Sequence, residues 1–204
     1  MEDYLKFWNP NGKRELLEKI VNPDVWEQEI PSYLEWLFKP EWLKKESVVL
    51  EVGCGIGRLL SPVSKKVNTA HGVDISNRML SESKEYLKDS PNVFTWKVLP
   101  DWTFPIESES FDLVYSVIVF QHIPERVIID TYMGEIYRVL KPGGIVRIQT
   151  LKAEPPKTGF HGFHGHTFPS LESFKEIFSK FRIVETQEGL GHKDWLWVTA
   201  TKSS

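Results

Sequence analysis

The stretch Val48-Val49-Leu50-Glu51-Val52-Gly53-Cys54-Gly55-Ile56-Gly57-Arg58-Leu59-Leu60 passes from an apolar run, through three glycines, into the start of a helical pattern. Apolar and β-branched residues interrupted by one acid predict a buried strand, and the glycines predict a tight turn. Glycines at alternate positions permit positive φ and let a ligand approach the main chain where a Cβ would collide. The helix that follows directs unpaired N–H groups and the positive end of its dipole into the same space. An anionic group is the expected occupant.

Two residues narrow that expectation. A dinucleotide turn follows G-x-G-x-x-G, whose third glycine would fall at position 58, which is Arg58. Glu51 would oppose a pyrophosphate but attract an ammonium group. A ligand with an amino acid end, a sulfonium and an adenosine meets both conditions. Glu51-Val52-Gly53-Cys54-Gly55-Ile56-Gly57 resembles motif I of the class I S-adenosylmethionine (SAM)-dependent methyltransferases, which marks Glu51, Gly53, Cys54, Gly55, Gly57 and Arg58 as cofactor-site candidates. Tight turns without a ligand use the same residues.

Thr69 to Asp74 reads as a second buried strand ending on a carboxylate, with Ser76 placed to cap a helix running to about Leu87. A carboxylate there accepts hydrogen bonds from ribose hydroxyls, as the acid roughly 20 positions past the first glycine does in nucleotide-binding sheets. Asp74 is the candidate, with Ile75 and Met79 against the adenine; a plain capping role is the alternative. His71-Gly72-Val73-Asp74-Ile75-Ser76 resembles the family's second motif.

Composition sets the limits. The chain has 204 residues, 41% hydrophobic and 26% charged, ordinary for a soluble globular protein and long enough for one full core. Its 25 Lys+Arg against 28 Asp+Glu give a net charge of −3 without a long basic run, which argues against a nucleic-acid partner. No apolar run approaches the ~18 residues that span a bilayer, so no membrane partner is expected. The acidic, aromatic N-terminus does not resemble a signal peptide. The single Cys54 excludes an intrachain disulfide and agrees with a reducing, cytoplasmic setting.

Residues 1–46 hold Trp8, Trp26, Trp36 and Trp42 with Tyr4, Phe7, Tyr33 and Phe38. Helical spacing at Trp26, Ile30, Tyr33, Leu34 and Leu37 predicts amphipathic helices, read as a helical cap on the sheet edge. The resemblance adds that methyltransferases often recruit such helices to close over the ligand. Aromatic faces favour a cationic sulfonium, so Tyr4, Phe7 and Trp8 are substrate-side or lid candidates.

A third strand is expected at about Val93–Val98 and a fourth at Phe111–Ser116, opening through Val117 to His122 onto the carboxyl edge where open parallel sheets bind ligands. The resemblance is strongest in Phe104-Pro105-Ile106, Ser110 to Val114 and Gln121 to Glu125. Many family members carry a Gly-Asp pair before that stretch for the adenine amine; here Leu99-Pro100 stands there with Asp101 one position late. Pro100, Asp101 and Trp102 are therefore adenine-side candidates, and Ser116, Val117 and His122 complete the cofactor set. Val127, Thr131, Ile136 and Leu140 are read as the apolar stripe of the next helix. Leu140-Lys141-Pro142-Gly143-Gly144 matches the family's late structural motif and returns the chain into a strand at Ile145–Thr150.

Lys152 to Phe168 is dense in Pro, Gly and His, which predicts a loop of about 15 residues over the same sheet edge. His161, His164 and His166 are its lid or substrate-facing candidates; a metal reading lacks an acidic or Cys partner at ligand spacing. A helix at about 170–180 and two runs, Phe181–Glu188 and Trp195–Thr201, look like the antiparallel pair that closes the family's sheet.

Alternating strands and helices predict an α/β protein, a three-layer αβα sandwich. The resemblance implies a seven-stranded, mostly parallel sheet with an antiparallel C-terminal strand, and one methyltransferase domain over 1–204, with 1–46 its helical cap and 47–204 its Rossmann-like core. It also implies SAM as cofactor, S-adenosylhomocysteine as product, and transfer to an O, N or S atom of a small-molecule acceptor. A base is needed chiefly for hydroxyl or protonated amine acceptors, and the candidate is His122, which could instead orient the loop or touch the cofactor. A non-catalytic SAM-binding module, a protein or peptide acceptor and a nicotinamide oxidoreductase stand as competing readings. Cys54 as nucleophile adds little, since a small residue between glycines is explained by space.

Overall fold

The computed structural model describes residues 2–9, 23–153 and 165–203. In chain order the elements are α1 (Glu2–Trp8), α2 (Pro23–Leu37), β1 (Val48–Val52), α3 (Leu60–Ser64), β2 (Thr69–Asp74), α4 (Asn77–Tyr86), β3 (Val93–Lys97) and β4 (Phe111–Ser116). Next come α5 (Arg126–Val139), β5 (Leu140–Leu151), α6 (Leu171–Lys175), β6 (Arg182–Glu188) and β7 (Trp195–Thr201). Short 3-10 turns lie at Pro40–Trp42, Phe120–His122 and Glu176–Phe178.

The strands form one sheet of order β3-β2-β1-β4-β5-β7-β6. Each pairing from β3 across to β5 is parallel, and β7 runs antiparallel to both of its neighbours, β5 and β6. The order reverses between β1 and β4, so their carboxyl ends part and leave the crevice where such sheets bind ligands. Apolar side chains on the two faces build separate cores. Leu50, Val52, Val114 and Val146 pack with Ile129, Ile136 and Phe174 of α5 and α6. Val49, Ala70 and Leu113 pack with Tyr33 and Leu37 of α2 and Leu60 and Val63 of α3. The three-layer sandwich and the antiparallel closing strand follow the expectation.

Several local readings need correction. The stripe of α5 is buried through Ile128, Ile129, Tyr132, Met133, Ile136 and Val139, whereas Val127 is 63% exposed. Thr131 sits with Val127 on the outer side, its hydroxyl donating to the Val127 carbonyl at 2.9 Å; the apolar face is phased one position later than the spacing suggested. Strand β5 begins at Leu140, paired with Phe111, so the Lys-Pro-Gly-Gly stretch lies within the strand instead of between helix and strand. The first core helix, which the sequence pattern places at roughly 58–66, spans only Leu60–Ser64.

A buried arginine ties the outer strands to α2. Arg147 is 4% exposed; its guanidinium donates to Thr199 Oγ1 at 2.6 Å, the Trp36 carbonyl at 2.7 Å and Gln187 Oε1 at 2.8 Å, and lies 4.7 Å from the Trp197 ring centroid. Burial lowers its pKa to about 10, so it stays charged. Arg147→Ala is expected to cost about 2–3 kcal/mol in urea unfolding by orphaning these acceptors, and Arg147→Met less, because it refills the space.

Candidate active site

The carboxyl ends of β1, β2 and β4 open onto a cavity of about 490 Å³, within the range of small-molecule sites. Its first wall is the turn after β1. Gly53 and Gly55 have φ of +77° and +55°. A Cβ on Gly53 would stand 2.3 Å from Val119 Cγ2, whereas one on Gly55 would meet nothing within 4 Å, so Gly55 presents bare main chain to the cavity. The glycine and cysteine N–H groups do not supply the free donors that the anion expectation drew on. The N–H groups of Gly53 and Cys54 donate to the Val73 carbonyl at 2.8 and 3.1 Å, that of Gly57 to the Cys54 carbonyl at 2.9 Å, and that of Gly55 to Asp74 Oδ2 at 2.8 Å. The turn offers close approach, and its glycine and cysteine donors are already engaged within the protein.

What the first two walls present instead are carboxylates. Glu51 is 5% exposed, and the hydroxyl of Tyr115, its register partner on β4, donates to Glu51 Oε2 at 3.2 Å. Burial pushes the Glu51 carboxyl up to about 8; the Tyr115 hydrogen bond and Arg58 oppose the shift, and Asp74 adds to it. Arg58 is itself lowered to about 10, chiefly by burial. At the tip of β2, Asp74 Oδ1 accepts from the Ser76 N–H at 2.7 Å while Oδ2 takes that of Gly55. Each oxygen retains a lone pair for a further donor. Burial raises the Asp74 pKa, and those two N–H groups work against the rise. Tyr115→Phe is expected to weaken an ammonium-bearing ligand about fivefold at pH 7 through the lost hydrogen bond; calorimetry on the variant checks this.

The third wall is aromatic. Ser76 caps α4 by accepting from the Met79 N–H at 3.1 Å, and its hydroxyl also donates to the Trp8 carbonyl at the end of α1. The Arg78 N–H donates to Asn9 Oδ1 at 3.3 Å. These bonds hold α1 against the start of α4, and Tyr4 and Trp8 line the cavity. The Trp8 ring meets His122 at 5.2 Å between centroids. The loop after β4 completes the wall. Ile118, a β-branched residue, sits at φ +57°, a strained position held by Gln149, whose Oε1 accepts the Ile118 N–H at 2.8 Å.

Of the sequence candidates, Glu51, Gly53, Cys54, Gly55, Arg58, Asp74, Ile75, Met79, Val117, His122, Tyr4 and Trp8 line this cavity. Gly57 does not; at φ +91° it packs against Leu87, where a Cβ would stand 2.5 Å from Cδ1. Ser116 is fully buried and donates to the Val52 carbonyl at 2.9 Å, joining β4 to β1. Pro100 and Asp101 are exposed and outside the cavity; Asp101 accepts from the Thr103 hydroxyl at 2.7 Å, which also lowers its pKa. Trp102 lies behind the wall, 6.4 Å from Tyr4 and 6.5 Å from Tyr132. His166 packs on Phe168 and donates its N–H to the Ile123 carbonyl at 2.6 Å, away from the lining. Phe7 is half-buried and meets Trp8 edge-on at 5.0 Å. His161 and His164 fall outside the described residues, as does the side chain of Trp26.

The lining also includes Ile56, Leu59, Val73, Val98, Ile118, Val119, Gln121 and Tyr132. The position of the loop after β4 pointed at three of these. Tyr132 was hidden by the wrong phase assigned to α5.

A family model described as a methyltransferase domain matches residues 50–148. Ubiquinone biosynthesis O-methyltransferase of Cereibacter sphaeroides is 26% identical over 153 residues, 74% of this chain and 60% of that protein. Phosphoethanolamine N-methyltransferase 2 of Caenorhabditis elegans is 32% identical over 107 residues, 52% of this chain and 24% of that protein. The chain thus spans less than two thirds of the length of either relative. The crystal structure of a SAM dependent methyltransferase from Aquifex aeolicus superposes with a TM-score of 0.65 at 24% identity, covering 89% of this chain and 98% of that one. The family match runs from β1 to β5 and the structural likeness carries the same fold toward both ends, so residues 50–148 match a methyltransferase domain and the chain has the Rossmann-like fold of the class I SAM-dependent methyltransferases.

Proposed function

We propose that the protein transfers a methyl group from SAM to an O, N or S atom of a small molecule. The observation that carries this reading is the pairing of two carboxylates, buried Glu51 and half-buried Asp74, with a bare turn whose glycine N–H groups are internally bonded. A pyrophosphate would meet the Asp74 carboxylate there and no free glycine donor; an α-ammonium group and a ribose diol each meet an acceptor. In this reading Glu51 takes the ammonium group and Asp74 the ribose hydroxyls, while Ile75 and Met79 flank the adenine. The donor supplies a methyl already activated by its sulfonium, so the chain has only to orient an acceptor, exclude water and remove a proton where there is one. In this reading Tyr4 and Trp8 exclude water, and His122, whose ring lies 5.2 Å from that of Trp8, takes the proton.

The relatives differ in the atom they name, oxygen in one and nitrogen in the other, so the shared core leaves the acceptor open. Single-turnover transfer from labelled SAM into a metabolite pool tests the activity. Label appearing in a small molecule supports it; binding of SAM without transfer to any pool identifies a binding module, and label in protein or peptide identifies a macromolecular acceptor.

A further inference from the structure

We infer that Gln121 reads the methyl acceptor, its side-chain oxygen taking a hydrogen bond from an O–H or N–H of an aromatic acceptor that carries no phosphate. The inference rests on the donor assignment above. With Glu51 and Asp74 committed to the donor, the wall left for the acceptor is that of Tyr4, Trp8, Tyr132 and the 3-10 turn Phe120–His122. Gln121 lines the cavity on that turn, 8% exposed, and its Oε1 is buried without a hydrogen-bond partner among the described residues. The backbone beneath it is fixed: its carbonyl accepts the Gly165 N–H at 2.7 Å, and the His122 N–H donates to the Val119 carbonyl at 2.8 Å. A buried amide oxygen is costly until a donor meets it, and a ligand is the partner the cavity admits.

Charge selects the class. Among the described lining residues two carboxylates face one guanidinium, Arg58, which is coupled to Glu51. A phosphate dianion has little to meet it, whereas three aromatic rings suit a flat uncharged acceptor. Gln121 cannot accept the proton outright, so its part is orientation. For a catechol, one hydroxyl donates to Gln121 Oε1 while the other forms its O–C bond as the methyl–sulfur bond breaks, its proton passes to His122, and the sulfonium becomes a neutral thioether.

The adenine amine could also donate to Oε1, and the test separates the two sources. Gln121→Leu and Gln121→Met are compared with the unaltered protein for S-adenosylhomocysteine affinity, thermal unfolding, and labelled transfer to pyrocatechol, 4-methylcatechol and phosphoethanolamine. The expected result is transfer to a catechol with KM raised tenfold or more in both variants, kcat less affected, S-adenosylhomocysteine Kd within twofold and Tm equal or higher. Weakened S-adenosylhomocysteine with an unmoved KM would assign Gln121 to the adenosine and overturn the inference. So would transfer to phosphoethanolamine and neither catechol, no transfer to a catechol at all, or a lower Tm with both constants unmoved. If the unaltered protein binds no S-adenosylhomocysteine, the donor reading fails and takes this one with it; the other outcomes strike Gln121 alone.

Discussion

Asp74→Ala is expected to weaken both SAM and S-adenosylhomocysteine by about 10- to 100-fold, equivalent to roughly 1–3 kcal/mol of lost hydrogen bonding to the ribose. The same change removes the acceptor of the Gly55 and Ser76 N–H groups, so the turn after β1 and the first turn of α4 lose a shared anchor. A fall in Tm should accompany the loss of affinity. The two effects separate by ligand. 5′-Methylthioadenosine, which keeps the ribose but not the amino acid, should lose affinity in parallel with SAM, whereas Tyr115→Phe should leave its binding unchanged. Unaltered affinity for all three adenosine ligands in Asp74→Ala would remove the ribose assignment.

The second large effect is a pH dependence set by Glu51. With its carboxyl pushed up to about 8 by burial, Glu51 is mostly neutral in the ligand-free fold at pH 7. An ammonium group requires the carboxylate, so SAM affinity should rise nearly tenfold from pH 6 to pH 7, with close to one proton released per donor bound. Calorimetry in buffers of different ionisation enthalpy counts that proton. Stability runs the opposite way. The unfolded chain releases the Glu51 proton near pH 4.3 and the fold holds it to about 8. Within that window the folded state binds more protons, and stability falls as pH rises, by up to about 1.4 kcal/mol per pH unit from this group. Glu51→Gln should therefore unfold at a higher temperature than the unaltered protein at pH 8, match it near pH 4.5, and bind SAM weakly at every pH.

The frame of the fold was legible because it is written in short, strongly patterned segments. Val48–Val52, Thr69–Asp74 and Phe111–Ser116 are apolar runs closed by glycine or polar residues, and all three form strands with those bounds. Glu51 and Asp74 were legible because a strand reaching the carboxyl edge has only one position from which a side chain can meet a ligand. The hydrogen bonding of the turn was not, because the Val73 carbonyl and the Asp74 carboxylate come from another strand. Ser116 was misread for a related reason: a hydroxyl at a strand end looks like a ligand contact until a neighbouring carbonyl is seen to accept from it. Tyr132 and Gln121 depend on helix phase and on the path of the loop after β4. Local spacing fixes neither, since α5 carries apolar residues at both Val127 and Ile128. Asp101 followed a family pattern into a segment where Thr103 engages it locally.

Titration calorimetry of the unaltered protein with S-adenosylhomocysteine, and separately with NAD and ADP, tests the two-carboxylate site most directly. Saturable one-site binding of S-adenosylhomocysteine, with no measurable heat from either phosphate-bearing nucleotide, is the predicted result. Saturation by NAD or ADP with no response to S-adenosylhomocysteine or SAM would contradict it.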